Sequence, residues 1–178
     1  TRTRALAGTR HTHAAEGGGG KWLGEMAEAT REGGLEYLAI TAASAAVAVA
    51  QGLDAGALRE QMNAIDELNR NLDALRVLKS IEVDILKDGS LDLPDDVLED
   101  LDLCVCSLHT NLGLSEEQQT ERVLAAMDNP NFHILAHPTG RRLSERGPIA
   151  IDLDRIMEAA VEKGCFLELN AQPERLDL

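Results

Sequence analysis

The run Leu101-Asp102-Leu103-Cys104-Val105-Cys106-Ser107-Leu108-His109 decides the fold. Its first six residues are apolar at every position but Asp102, too continuous for a strand with one wet face. They match a strand covered on both sides, as in parallel sheets whose crossover helices pack on the faces. Similar runs recur on either side of it. Leu35-Glu36-Tyr37-Leu38-Ala39-Ile40-Thr41, Val77 to Ile85, Phe132 to His137 and Cys165 to Asn170 read as strands, and Thr9 to Ala14 as a short first one.

Helical segments separate these runs. Lys21 to Glu32 forms one, stopped by Gly33-Gly34. Asp54 to Asp73 forms another, with Leu58, Met62, Ile65 and Leu72 at helical spacing and Asp54 as N-cap. Lys87-Asp88-Gly89-Ser90 is a turn signal, and Pro94 suits the first position of a short helix. Ser115-Glu116-Glu117-Gln118 reads as a capping box opening a helix that runs to Met127, and Asp152 to Lys163 is a helix closed by Gly164. Six strands alternating with helices imply an α/β fold with a parallel sheet and helices outside it. An open doubly wound sheet and a βα barrel both satisfy that pattern. Gly17 to Gly20 lack the spacing of a phosphate-binding loop and read as a linker.

The chain has 178 residues, the size of a single domain, and Thr1 to Gly8 reads as a leading linker. Hydrophobic residues make up 44% but aromatic ones only 2%, so the core has to be built from Leu, Val, Ile and Ala. No run approaches the roughly 20 apolar residues of a membrane span, and the first residues lack the apolar segment of a secretory leader. A cytoplasmic location is expected. The formal charge of −14 repels duplex DNA over most of the surface, so action on nucleic acid needs a bound metal or a tethered basic domain. Cys104, Cys106 and Cys165 do not make a disulfide framework. Buried thiols are the favoured reading for Cys104 and Cys106, with zinc ligation the lesser one.

Metal-binding residue types fall at the C-terminal ends of the strands. His11 and His13 stand two apart on the first, and Glu82 and Asp84 two apart on the third. His109 closes the fourth strand, His137 the fifth, and Asn170 with Gln172 the sixth. Active sites of βα barrels are assembled at this rim. One strand-end histidine is ordinarily just a hydrogen-bonding group, but four with a glutamate suit zinc, manganese or iron. Such a set points to metal-assisted hydrolysis of a phosphate ester. Asp84 reads either as a carboxylate orienting a ligand or as a polar strand end. Arg141 and Arg142, after His137-Pro138-Thr139-Gly140, either clamp a phosphate or are solvated loop charges. Asp84 and Arg141 are the catalytic candidates. His133, at the opposite end of its strand, reads as a solvated residue.

His11-Thr12-His13, Tyr37-Leu38-Ala39-Ile40-Thr41, Ile81-Glu82-Val83-Asp84-Ile85, Ser107-Leu108-His109 and Ala136-His137-Pro138-Thr139-Gly140 resemble successive motifs of the PHP domain, the polymerase and histidinol phosphatase domain. Leu91-Asp92-Leu93-Pro94-Asp95-Asp96-Val97-Leu98 and Leu169-Asn170-Ala171-Gln172-Pro173 resemble the PHP domain that follows the core of bacterial family X DNA polymerases. The resemblance runs from Gly8 onward. It implies a distorted (βα)7-type PHP barrel, with about six strands here and the last expected past Leu178. It also implies a metal-dependent phosphoesterase and 3′–5′ exonuclease serving DNA repair, working with manganese or zinc on DNA 3′ ends beside a polymerase core. Up to three ions are implied, held in this chain by His11, His13, Glu82, His109 and His137.

The chain also departs from that pattern. Ala42-Ala43 stand where an Asp-His pair is expected, and Ala14-Ala15-Glu16 and the glycines replace a polar loop. Fewer ions and reduced activity are therefore expected, whether the chain is an inactivated or redesigned protein, an incomplete one or a natural pseudoenzyme. The other functional readings are a non-catalytic scaffold and a small-molecule phosphatase of the histidinol phosphatase type. The open barrel edge would expose unpaired strands and so permit self-association.

Overall fold

The structure, a computed structural model, describes residues 8–13, 20–44 and 53–178, and side chains from residue 23 onward within those spans. The linker readings of residues 1–7 and 17–19, and the loop reading of 14–16, lie outside the described residues. Six parallel strands form one sheet in chain order: β1 (Gly8–His13), β2 (Tyr37–Ala43), β3 (Arg76–Asp84), β4 (Leu103–Ser107), β5 (Ile134–Leu135) and β6 (Phe166–Leu167). The crossovers carry α1 (Gly20–Glu32), α2 (Ala55–Asn69), α3 (Asp95–Leu98), α4 (Glu116–Ala126) and α5 (Leu153–Lys163). A doubly wound sheet would reverse its strand order at a switch point, and this one never does.

The helices share one face of the sheet. Ile81, Val83, Ile85, Cys104, Cys106 and Leu135 pack against Leu58 and Met62 of α2, Val123 of α4 and Ile156 of α5. Leu23 and Ala27 of α1 join Leu38, Ile40, Val77 and Ile65 in a neighbouring cluster. The opposite face carries a smaller cluster of Val105, Ile134 and Ala136, flanked by Leu103, which lines the inside of a barrel-like curve. This architecture is consistent with the distorted PHP-type barrel expected from the sequence, with six parallel strands. Among the described residues, β1 pairs only with β2 and β6 only with β5.

The capping signals act as their chemistry requires. Asp54 and Asp152 accept the N–H groups of Ala57 and Arg155, Ser115 and Gln118 form a reciprocal capping box, and Gly164 closes α5 at φ 74°. Several boundaries differ from expectation for local reasons. α2 ends at Asn69, four residues short of Asp73, where the Asn69 amide both donates to and accepts from the backbone of Val77 (2.8 and 2.9 Å). That double bond ties the helix end to the start of β3. Pro94 serves as the N-cap of α3 and not as its first residue. β5 has two residues only, because the backbone leaves the ladder at His137, whose φ is 31°. In the turn before α3, Gly89 has φ 88°, and an added Cβ would lie 2.9 Å from the Arg122 carbonyl, so only glycine lets this loop meet α4.

His133 is not the solvated residue expected. It is half-buried, and its Nδ1 accepts the backbone N–H of Cys104 (3.0 Å), joining β5 to β4 just below the ladder. Cys104 and Cys106 are buried thiols; burial pushes Cys104 up to about 12 and Cys106 well above its ordinary value, so both stay protonated. Cys165 is partly buried, with its thiol against the Phe132 carbonyl.

Burial also holds the His133 imidazole below its ordinary value of 6.5. The unfolded chain takes up this proton more readily than the folded one, so His133 weakens the fold as pH falls below 6.5 and has no such effect well above it. His133→Gln keeps an acceptor but does not titrate. Urea unfolding from about pH 7.5 to about 5.5 should show the parent losing more stability than this variant. Equal losses in the two proteins would sink the assignment.

Candidate metal centre

β3 ends in Glu82-Val83-Asp84, and strand alternation turns both carboxylates to the concave side while Val83 packs against the helices. Both are buried, with Glu82 3% exposed and Asp84 fully covered. Buried carboxylates need donors or cations around them, and the neighbouring strand ends supply these. His109, two residues past β4, places Nε2 3.6 Å from Glu82 Oε1. His137, two residues past β5, places Nε2 3.2 Å from the same oxygen. The two rings meet edge to face with centroids 5.4 Å apart.

Glu82, His109 and His137 each offer a ligand atom, and these atoms lie within 4.8 Å of one another. Two imidazoles and a carboxylate are the donor set of zinc, manganese and iron sites. His137 is buried, and its Nδ1 has no hydrogen-bond partner. An imidazole so enclosed, next to a buried carboxylate, fits a cation better than an apolar filler. The residues present therefore suit a divalent ion.

Asp84 lies outside this trio and holds it in place. Its Oδ1 accepts the backbone N–H of His109 (2.8 Å), and its Oδ2 accepts the Thr110 hydroxyl (2.9 Å). His109 Nδ1 contacts Ser107 Oγ at 3.0 Å and lies 3.5 Å from Asp84 Oδ1, which leaves Nε2 directed at Glu82. The imidazole is thus oriented through its far nitrogen, the usual arrangement behind a metal-bound histidine.

Other expected residues are placed as follows. The register sets His13 opposite Thr41, with His11 two residues earlier on β1; their side chains lie outside the described residues. Ala43 is registered opposite Glu82, so the position where a histidine was expected borders the trio. Ala42 belongs to the helix-facing core. Asn170 donates to Glu168 Oε2 (3.2 Å) and accepts from the backbone N–H of Gln172, whose side chain is exposed. Arg141 Nε donates to the Arg175 carbonyl (2.9 Å), and Arg142 pairs with Glu145 (3.0 Å).

Four residues of the site's surroundings escaped the sequence reading. Glu168 accepts the backbone N–H of His137 (2.9 Å). Its spacing of two from Asn170 repeats the Glu82 and Asp84 pattern, and could have flagged it. Asp177 is fully buried and accepts both the backbone N–H and the hydroxyl of Thr139 (3.1 and 2.9 Å), pinning the loop of His137. Arg175, on the return segment where Asn170 and Asp177 exchange backbone bonds, has a buried Nη1 without a partner. Burial lowers its pKa, and nearby Arg142 and Arg146 act in the same direction against Glu82 and Asp177. Arg122 is buried on α4. None of the last three shows in the sequence, since each depends on contacts across strands.

No family model matches the chain. It is 41% identical, over 173 residues and 97% of its length, to "DNA polymerase/3'-5' exonuclease PolX" of Bacillus subtilis, and covers 30% of that protein, in its C-terminal part. It is 33% identical over 165 residues to a probable phosphatase of Acetivibrio thermocellus, covering 90% of this chain and 63% of that one. A probable phosphatase of Caldanaerobacter subterraneus is 34% identical over 104 residues, covering 56% of this chain and 38% of the relative. The chain thus spans less than two thirds of each of these relatives. The similarities bear out the resemblance to PHP domains of the family X polymerase type.

Asp84→Asn tests the support beneath His109. An amide has one acceptor oxygen where the carboxylate has two, so either the His109 N–H loses its acceptor or the Thr110 hydroxyl must turn to accept, leaving its own proton without the carboxylate. A loss of about 1–3 kcal/mol in urea unfolding at neutral pH is expected. A change below about 0.5 kcal/mol, the size of a surface substitution, would contradict this role.

Proposed function

We propose that this PHP-type domain is a divalent-metal-dependent phosphoesterase that acts as the 3′–5′ exonuclease module beside a polymerase core, in the cytoplasm. The coarse part of this reading, a PHP phosphoesterase domain, is supported by the similarity to the polymerase and to the probable phosphatases. The observation that supports the metal dependence is the convergence of Glu82, His109 and His137 at the C-terminal rim. No helix among the described residues is long and apolar enough to cross a membrane.

Each residue has a task in this reading. Glu82, His109 and His137 would hold a manganese or zinc ion, joined by His11 and His13 from β1. A divalent ion in such a site supplies Lewis-acid activation of water and charge stabilisation of the leaving oxygen. Asp84 fixes the His109 backbone, and Ser107 contacts the His109 ring at Nδ1. Arg175 offers an Nη1 without a partner among the described residues and would grip a phosphate oxygen, with Arg141 bracing it through its carbonyl. These arginines, with Arg142 and Arg146, put local positive charge on a chain of net charge −14, where a DNA 3′ end could approach.

Ala43 beside Glu82 supports the expectation of fewer ions and slow turnover, because a methyl group cannot ligate. A second reading, hydrolysis of small phosphate esters, is favoured by the probable phosphatases among the relatives. Single-stranded DNA and a small aryl phosphate, compared in one assay, separate the two.

Slow manganese-dependent removal of 3′ nucleotides is expected from the chain as it stands, abolished by chelator and by Glu82→Gln. Ala43→His should raise both manganese stoichiometry and rate, the rate by at least about tenfold, the size expected for a restored metal contact. Hydrolysis indifferent to chelator and to Glu82→Gln would refute the reading. Release of phosphate from the aryl ester alone would transfer it to the small-molecule class.

A further inference from the structure

Arg122 is a cation in the interior of the fold. It lies on α4 beside Val123 and Ala126 of the main core and is only 3% exposed. Burying a guanidinium is unfavourable unless its donors are met, and apolar residues of similar volume commonly replace such groups without loss of stability. Its partners show what it does there. Nε donates to the Leu86 carbonyl (2.9 Å), Nη2 to the Ile85 carbonyl, and Nη1 to the Thr110 carbonyl (3.0 Å) and to Gln119 Oε1 (3.2 Å). Gln119, itself fully buried, donates from Nε2 to the Asn111 carbonyl (2.9 Å).

These carbonyls belong to two loops only. Ile85 and Leu86 follow β3, three and four residues after Glu82; Thr110 and Asn111 directly follow His109. Thr110 is held from two sides, its carbonyl by Arg122 and its hydroxyl by Asp84. Asp84 also holds the His109 N–H. The rigid fork of a guanidinium can bridge both loops at once, which the single point of a lysine ammonium cannot.

We infer that Arg122, supported by Gln119, is a positioning residue that sets the spacing between Glu82 and His109. This rests on the reading of those residues as metal ligands. Arg122 touches neither ion nor substrate in this role; it fixes the two loops from behind, and the ligand atoms follow.

The test is titration of the full chain with cobalt(II), followed by visible absorption, with thermal melting of the metal-free protein alongside. The parent should bind cobalt(II), and Glu82→Gln should abolish that binding. Arg122→Lys should fold yet bind cobalt(II) about 10- to 100-fold more weakly, with shifted absorption bands, as for loss of a supporting contact behind a metal ligand. If the parent binds no cobalt(II), the metal reading fails and this inference falls with it. If the parent binds and a folded Arg122→Lys matches it in affinity and spectrum, the inference alone is overturned. Should Arg122→Lys not fold, Gln119→Met keeps the guanidinium but removes the Nη1 contact to Gln119. A weakening of threefold or more in that variant supports the inference, and an unchanged affinity overturns it.

Discussion

Two buried carboxylates at the end of one strand constrain everything around them. Glu82 and Asp84 lie in the centre of the sheet, with β2 on one side and β4 on the other, and almost no water reaches either. A lone buried charge is too unfavourable to persist, so each has to meet donors. Asp84 is met by protein donors, the His109 amide and the Thr110 hydroxyl. Glu82 faces two imidazole nitrogens instead. That difference divides the pair into a carboxylate taken up by protein donors and one facing the imidazoles of the candidate metal centre, though the two are only two residues apart.

The same division runs through the molecule. On the convex face the strands present Ile, Val, Leu and Cys to the helices, a dense aliphatic layer that holds the rim without taking part in its chemistry. On the rim, polar side chains do not act singly but in supporting pairs. Glu168 holds the His137 amide, Asp177 holds Thr139, and Arg122 and Asp84 hold Thr110 from opposite sides. The loops of His109 and His137 are therefore fixed by neighbours contributed from other elements. Such bracing limits drift of the two imidazoles, which sit past the ends of their strands, where the backbone ladder no longer holds them.

Electrostatics separates the site from the remaining surface. The chain is strongly acidic overall, which disfavours contact with nucleic acid. Arg142, Arg146 and Arg175 are close enough to influence one another, and Glu82 and Asp177 offset part of their repulsion. Arg175 thus lies among other arginines and beside Glu82 and Asp177, on a body of net charge −14.

The residue pattern by itself determined the parallel α/β class, the helix caps, the buried character of Cys104 and Cys106, and the gathering of Glu82, His109 and His137 at the C-terminal strand ends. It could do so because strand alternation, helical spacing and capping are local, and a parallel sheet puts every strand's C-terminal end on one rim whatever the strand order. Local signals left the choice between doubly wound sheet and barrel open, and only the unreversed order β1 to β6 decided it. They misjudged His133, whose burial comes from β4, and missed Glu168, Asp177, Arg175 and Arg122, whose partners are dozens of residues away or on another element. That Glu82 faces two imidazoles while Asp84 is taken up by backbone and hydroxyl donors was likewise settled only by tertiary structure, because the donors come from other strand ends.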